Sequence, residues 1–205
     1  LVAGVRNYFC NLPENLHFVP VLEVESKAGL RIDILSTLNS NCVQHSYITR
    51  EGTQAYEFPL WSSGEGVVYR VPHKVKVIKL GYRRTGYATE WISPPTCNDA
   101  KLNLLTERAQ RTLYVTMRDT YMDCPDRERA CWIGDVADQA SYLFYCMDDA
   151  GRQLLKKAIR ITMAYSDEGV YGALGPLRLR ELPTQSLQFV DQCVWQYYLH
   201  TGDEE

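Results

Sequence analysis

The 205 residues are 45% hydrophobic and 11% aromatic, enough to bury a sizeable core in one or two domains. Net charge is −3 with acids and bases interspersed, and the densest basic pairs, Arg83-Arg84 and Lys156-Lys157, fall short of a surface that tracks phosphates, which argues against nucleic acid as a partner. No apolar run approaches the roughly 18 residues of a membrane span, so no membrane association is expected.

From Leu1 to about Trp91 the hydrophobic pattern has period two. Phe18 to Val24, Leu30 to Leu35, Val68 to Val71 and Val75 to Val77 alternate, with turn residues at Lys27-Ala28-Gly29, Asn39-Ser40-Asn41 and Ser62-Ser63-Gly64-Glu65-Gly66. Short strands at this spacing predict an antiparallel β-sandwich or jelly roll. Tyr47, Tyr56, Trp61 and Tyr69 would make a stacking platform for sugars if exposed; inner-face packing is the commoner arrangement.

Ser93-Pro94-Pro95-Thr96 predicts a domain boundary, dividing the chain into a β-domain over 1–92 and a helical domain over 93–205. The period then changes to that of helices. Leu102, Leu105, Ala109 and Leu113 form one stripe. Val136, Ala137, Ala140, Leu143, Phe144 and Met147 form a second, and Leu154, Leu155, Ala158, Ile159 and Thr162 a third. A loop rich in Gly and Pro is expected from about Ser166 to Pro183. The last helix should start at Thr184 or Ser186, bury Leu187, Val190, Val194 and Tyr197 or Tyr198, and stop near Gly202. Glu204 and Glu205 read as a disordered acidic tail.

Seven cysteines never form Cys-x-x-Cys and four histidines are dispersed, so neither a metal nor a cofactor is expected. Gly169, Gly172 and Gly175 follow no strand and make no phosphate-binding loop, and no Gly-x-Ser-x-Gly elbow exists.

The densest chemistry lies between helices, in Asp-Cys-Pro-Asp-Arg-Glu-Arg-Ala-Cys-Trp-Ile-Gly-Asp from Asp123 to Asp135. Pro125 and Gly134 disfavour helix there, and Asp135 reads as the N-cap of a helix beginning at Val136. A general acid for glycosidic cleavage must keep its proton near neutral pH. An apolar wall or a neighbouring carboxylate would hold the proton on Glu128, whereas Arg127 and Arg129 would remove it. Trp132 offers a flat face for a sugar ring, and Asp123 and Asp135 could hold hydroxyls. The residue types alone leave open a plain ion-pair network with Trp132 as core.

Asp-Cys-Pro-x-Arg-Glu-Arg followed by Trp-x-Gly-Asp resembles the signature of the bacterial α-L-rhamnosidases of glycoside hydrolase family 78. The resemblance implies an inverting hydrolase with Glu128 as general acid. It also implies a rhamnose pocket lined by Asp123, Arg127, Trp132 and Asp135. Two departures are the adjacency of Arg127 and Glu128, where many members have an extra residue, and Ala130-Cys131 in place of the common Leu-Gly. Tyr82-Arg83-Arg84-Thr85-Gly86-Tyr87 is similar to the end of the β-domain that precedes the barrel in such proteins. Glu181-Leu182-Pro183-x-Gln185-Ser186 is similar to a loop between early helices, which makes Glu181 a further candidate sugar contact.

The fold so implied is α+β and multidomain: a jelly-roll-like β-sandwich, then helical hairpins forming about the first third of an (α/α)6 barrel. The family's general base comes from a glutamate late in the barrel. This chain therefore reads as a fragment, inactive alone, whose uncovered helix faces imply self-association or packing on the remainder of the barrel. The expected partner is a rhamnose-containing oligosaccharide or glycoside. The alternative is a non-catalytic binding protein for rhamnose or a related sugar. The family favours a periplasmic or extracellular protein, although no signal-peptide pattern occurs in these residues.

Overall fold

A computed structural model describes residues 4–37, 45–92, 96–166, 172–175, 177–180 and 183–205, with backbone alone over 172–180. Two compact units form, Leu1–Gly86 and Tyr87–Glu205.

The first unit is one antiparallel sheet of β1 (Val5–Ser26), β2 (Arg31–Ser36), β3 (His45–Ile48), β4 (Gly52–Glu57), β5 (Ser62–Pro72) and β6 (Lys76–Thr85). The long β1 organises it. β5 pairs with β1 from Val5↔Pro72 to Phe18↔Ser62, and β4 continues along the same edge from Val21↔Glu57 to Ser26↔Gly52. β6 takes the opposite edge from His17↔Thr85 to Glu25↔Lys76, so the sheet curls about β1. Alternation puts Phe18, Val24, Ile32, Ile34, Tyr69 and Val71 inside, all essentially inaccessible. The Tyr69 hydroxyl crosses this interior to the carbonyls of Val21 and Gly81, which satisfies a polar group that burial would otherwise penalise.

The aromatic residues serve as packing here. Tyr69 is buried, Tyr47 and Tyr56 stack on each other at 4.5 Å against the core, and the Trp61 ring lies 4.5 Å from that of the buried His17. Ser62 to Gly66, expected as a turn, is instead the start of β5. Its small residues let strands approach closely: a methyl on Gly66 would lie 3.1 Å from the Thr37 side chain and 3.2 Å from the Cys10 carbonyl. Asn39-Ser40-Asn41 lies outside the described residues.

In the second unit, α1 (Ala100–Val115) is capped by Asp99, whose carboxylate accepts from the Lys101 and Leu102 N–H groups. The two-residue strand β7 (Cys131–Trp132) leads directly into α2 (Ile133–Cys146), which forms a hairpin with α3 (Asp149–Ala164). Asp148 caps α3 and also accepts from the Thr89 hydroxyl and the Glu90 N–H, tying segment 87–92 to this hairpin. The strands β8 (Gly172–Gly175) and β9 (Leu177–Arg180) form a hairpin within the stretch expected to be loop, and β8 pairs with β7. The chain then runs through α4 (Pro183–Phe189), a π-helical segment Val190–Trp195 and α5 (Gln196–Thr201), ending at Gly202 in the left-handed conformation.

The apolar stripes of α2 and α3 are buried as their spacing predicts, with Val136, Ala137, Ala140, Leu143, Met147, Leu155 and Ala158 fully enclosed. Those of the flanking helices are buried only in part, with Val194 packed partly buried against the same core. In α1 only Leu113 of the expected stripe is buried; Leu102 and Leu105 are 53% and 62% exposed. In the last helix the buried positions are Ser186, Phe189, Cys193 and Tyr197, whereas Leu187 and Val190 face out. The steps from Ser186 through Phe189 and Cys193 to Tyr197 keep to one helical face, and the π-helical segment lies within that stretch. Among the described residues no helix is long and apolar enough to cross a membrane.

The acidic terminus is ordered rather than free. Asp203 pairs with Lys156 at 2.5 Å and accepts from the Tyr197 hydroxyl at 2.9 Å, while Glu205 lies 3.5 Å from Arg160. Lys156 above all, then the Glu205 N–H and the Tyr197 hydroxyl, hold the Asp203 carboxyl down at about 2. A carboxyl lowered by folding stabilises fully above its unfolded value of about 3.9, and that contribution disappears as pH falls through the folded value. Wild type should therefore lose part of its stability between about pH 4 and 2, and Asp203→Asn should lack that part. Superimposable acid-unfolding curves for the two proteins would contradict this.

Candidate functional site

The loop from Asp123 to Ala130 closes on itself. The Asp123 N–H donates to the Ala130 carbonyl at 2.9 Å, and the Ala130 N–H donates to Asp123 Oδ1 at 3.0 Å. The turn so enforced puts Arg129 at φ 53, a left-handed conformation that costs any residue other than glycine energy; its Nε donates to the Pro125 carbonyl at 3.0 Å. Below the loop, buried Gln139 of α2 donates from Nε2 to the Met122 carbonyl at 2.7 Å, fixing the backbone immediately ahead of Asp123. Its Oε1 has no hydrogen-bond partner among the described residues.

This closure brings side chains distant in a random chain into one cluster. Potential ligand atoms of Asp123, Cys124 and Glu128 lie within 4.8 Å of one another. Arg127 lies 2.5 Å from Glu128 Oε1, and the Cys124 thiol donates to Glu128 Oε2 at 3.4 Å. The Arg127 guanidinium thus already supplies positive charge where a cation would sit. A hydrogen bond from Asp123, and then Arg127, hold the Glu128 carboxyl well below the usual carboxylate range. The neighbouring carboxyl, expected to hold the proton on Glu128, thus acts with the flanking arginine to lower it, and Glu128 is ionised in this state of the chain.

Trp132 follows, half-buried, in β7, whose pairing Trp132↔Leu174 holds it against the β8–β9 hairpin. α2 starts at Ile133, not Val136; Trp132 occupies the N-cap position without a side-chain cap, and Asp135 stands exposed in the first turn. Strand pairing hands the chain straight to the helix, so no capping aspartate is needed. Partial desolvation, then the nearby Asp123 carboxylate, push the Asp135 carboxyl above its ordinary value. Asp123, Arg127, Glu128, Trp132 and Asp135 are thus set out along one loop, strand and helix start. Glu181 lies outside the described residues.

Three further residues were hidden in the sequence. Cys124 touches Glu128, Gln139 secures the loop, and Gln188 of α4 donates to Asp138 at 2.8 Å, one turn beyond Asp135. Only Gln139, at the same helical face as Asp135 and one turn on, carried a usable spacing signal.

A family model, the bacterial alpha-L-rhamnosidase 6 hairpin glycosidase domain, matches residues 91–205, more than half of the chain. The chain belongs to this rhamnosidase family. Its fold is shared with a family 78 rhamnosidase of Bacillus sp. GL1, at 23% identity and TM-score 0.81 over 100% of this chain and 23% of that one. A Klebsiella oxytoca rhamnosidase solved with rhamnose bound aligns at 16% identity and TM-score 0.77 over 97% of this chain and 45% of the other. A Streptomyces avermitilis α-L-rhamnosidase complexed with L-rhamnose aligns at 20% and 0.61 over 85% and 18%. The rhamnosidase-like chain spans less than half the length of these solved relatives. No curated protein matches it.

The architecture is accordingly an antiparallel β-domain followed by helical hairpins of an (α/α)6 glycosidase barrel.

Proposed function

We propose that these residues carry the acid-bearing part of the pocket of an α-L-rhamnosidase that cleaves terminal α-L-rhamnosides with inversion. Glu128 is the general acid, and Asp123, Arg127, Trp132 and Asp135 hold the sugar. The observation that supports this most strongly is the self-closed loop that sets Asp123 against Glu128 and runs without a gap into Trp132 and Asp135. The rhamnose held by the Klebsiella and Streptomyces relatives supports a rhamnose-containing substrate.

Inversion needs a second carboxylate about 6.5–9.5 Å away, on the far side of the sugar, to activate water. We assign that role to later hairpins of the six-hairpin domain. The exposed apolar faces of α1 and of the last helix are the surfaces such hairpins would cover.

Glu128 must gain a proton before it can give one. Asp123 provides the means, since its hydrogen bond is the first cause of the lowered Glu128 carboxyl. A sugar whose hydroxyls engage Asp123 removes that bond, and the ring's apolar body desolvates Glu128; both changes raise its proton affinity. Without such a change an ionised Glu128 favours the second reading, a site that binds rhamnose without cleaving it.

Calorimetric titration of L-rhamnose into the chain tests the pocket. Asp123→Ala and Asp135→Ala should each weaken binding at least tenfold, the loss of a charge-assisted hydrogen bond or more. With a protein that spans the whole domain, an aryl α-L-rhamnoside should release the β-anomer first, followed by proton NMR. Absence of rhamnose binding in wild type would sink the pocket, and first release of the α-anomer would sink inversion.

A further inference from the structure

Gln139 is a buried amide of which only one end is satisfied. Its Nε2 donates to the Met122 carbonyl at 2.7 Å, whereas Oε1 is enclosed with no hydrogen-bond partner among the described residues. An enclosed acceptor without a donor costs stability, so what distinguishes this position is its donor end. The carbonyl it holds belongs to the peptide plane between Met122 and Asp123. The N–H of that same plane donates to the Ala130 carbonyl at 2.9 Å, the bond that closes the loop. Because a peptide is planar, a donor fixed on one end orients the other. Met122 is anchored a second time through its own N–H, which donates to the Thr116 carbonyl at 2.8 Å. Gln139 stands one turn beyond Asp135 on α2, so the helix that presents Asp135 also holds the plane that presents Asp123.

From this linkage we infer that Gln139 is a positioning residue of the sugar pocket: it locks the Met122–Asp123 peptide to α2 and so sets the distance between the Asp123 and Asp135 carboxylates. The inference rests on the rhamnoside-pocket reading above. Two carboxylates can share the hydroxyls of one sugar ring only at a fixed separation, and a displacement of either weakens its hydrogen bond steeply. The two groups are near enough to act on each other, since the Asp123 charge, after desolvation, contributes to the raised Asp135 carboxyl. The same lock reaches Glu128, because the hydrogen bond from Asp123 is the first cause of its lowered carboxyl. Loosening the peptide plane should therefore disturb both the binding of the sugar and the charge of the acid, without removing either carboxylate.

The test compares wild type, Gln139→Met and Gln139→Glu in the full 205-residue chain. Methionine keeps the length of the side chain and removes the donor. In Gln139→Met the Asp123 and Ala130 amides should exchange with solvent about tenfold faster, while amides of α3 should not. The Glu128 titration midpoint, followed by carbon NMR, should rise, and L-rhamnose should bind about five- to tenfold more weakly by calorimetry, as expected for one hydrogen bond. Gln139→Glu regains a donor once its enclosed carboxyl is protonated, and burial raises that carboxyl above its ordinary value of about 4.3. Its rhamnose affinity, relative to wild type at the same pH, should therefore recover between about pH 7 and about pH 5, and that of Gln139→Met should not. A merely structural role would not produce that pH dependence. Should Gln139→Met not fold, Gln139→Glu carries the same contrast within one chain. Wild type that takes up no rhamnose overturns the pocket reading, and the loop amides then decide the lock without it. Loop exchange in Gln139→Met equal to that of wild type overturns the lock. Faster exchange with unchanged rhamnose affinity overturns its part in the pocket.

Discussion

Replacing Glu128 by glutamine is expected to lower turnover of an aryl α-L-rhamnoside by about 10²–10⁴-fold in a protein spanning the whole catalytic domain, while L-rhamnose affinity changes little. Glutamine preserves the shape of the side chain and its contact with Arg127 but has no proton to give the leaving oxygen. The loss should shrink for a substrate with a good leaving group, because a departing anion that is already stable needs less protonation. Equal activity of wild type and Glu128→Gln would remove Glu128 from the chemistry.

The pH dependence of the same residue carries a second check. In the sugar-free chain Asp123 first, and Arg127 second, keep the Glu128 carboxyl low. Asp123→Ala and Arg127→Ala should therefore each raise its titration midpoint, observed by carbon NMR of the carboxyl. Since a lowered carboxyl stabilises the fold above its unfolded value and ceases to do so as pH falls through the folded one, both substitutions should also blunt acid destabilisation. A midpoint indifferent to Asp123 would mean that the proposed sugar-triggered protonation has no lever.

The largest effect on stability is expected where α2 and α3 pack. Leu143 is fully buried between them, and Leu143→Ala should cost about 2–5 kcal/mol through lost transfer energy and the cavity left behind. Gly151 is the complementary case. A methyl there would lie 2.7 Å from Met147 Cβ and 3.1 Å from Leu143 Cδ1, and Met147 Cβ cannot swing away without its backbone. Alanine is the better helix former by up to about 1 kcal/mol, yet overpacking of about 1–3 kcal/mol should outweigh it. Differential scanning calorimetry should thus place both variants below wild type, with Gly151→Ala closer to it. A Gly151→Ala protein melting above wild type would show that the two helices separate at little cost. Because Asp135 stands on α2, Leu143→Ala should also weaken rhamnose binding.

The cluster from Asp123 to Asp135 was legible in the sequence, because acids, arginines and a tryptophan at fixed spacing need no long-range contact to be seen. The period-two strands around Ile32 and Val68 were legible for a similar reason, as were the stripes of α2 and α3, since each of those elements is covered within its own unit. Ser62 to Gly66 was not. Small polar residues form turns when free, and the pairing with Asn11 and with Leu16 to Phe18 makes that stretch a strand. Nor were the outward Leu102, Leu105 and Leu187, whose spacing states that a partner surface exists without saying where it is.

What the sequence determined by itself is therefore local and periodic: the strongly alternating strands, the helices with apolar stripes, which face of α2 is buried, and where acids, arginines and a tryptophan crowd together. The tertiary structure decided the rest. The charge on Glu128 depends on where Asp123 and Arg127 sit relative to it, and electrostatic energy follows distance and burial, not order along the chain. The start of α2 depends on a strand pairing between Trp132 and Leu174, and the place of Gln185 on a glycine some fifty residues earlier. Contacts between residues far apart in sequence leave no periodic trace, so they become visible only once the chain is folded.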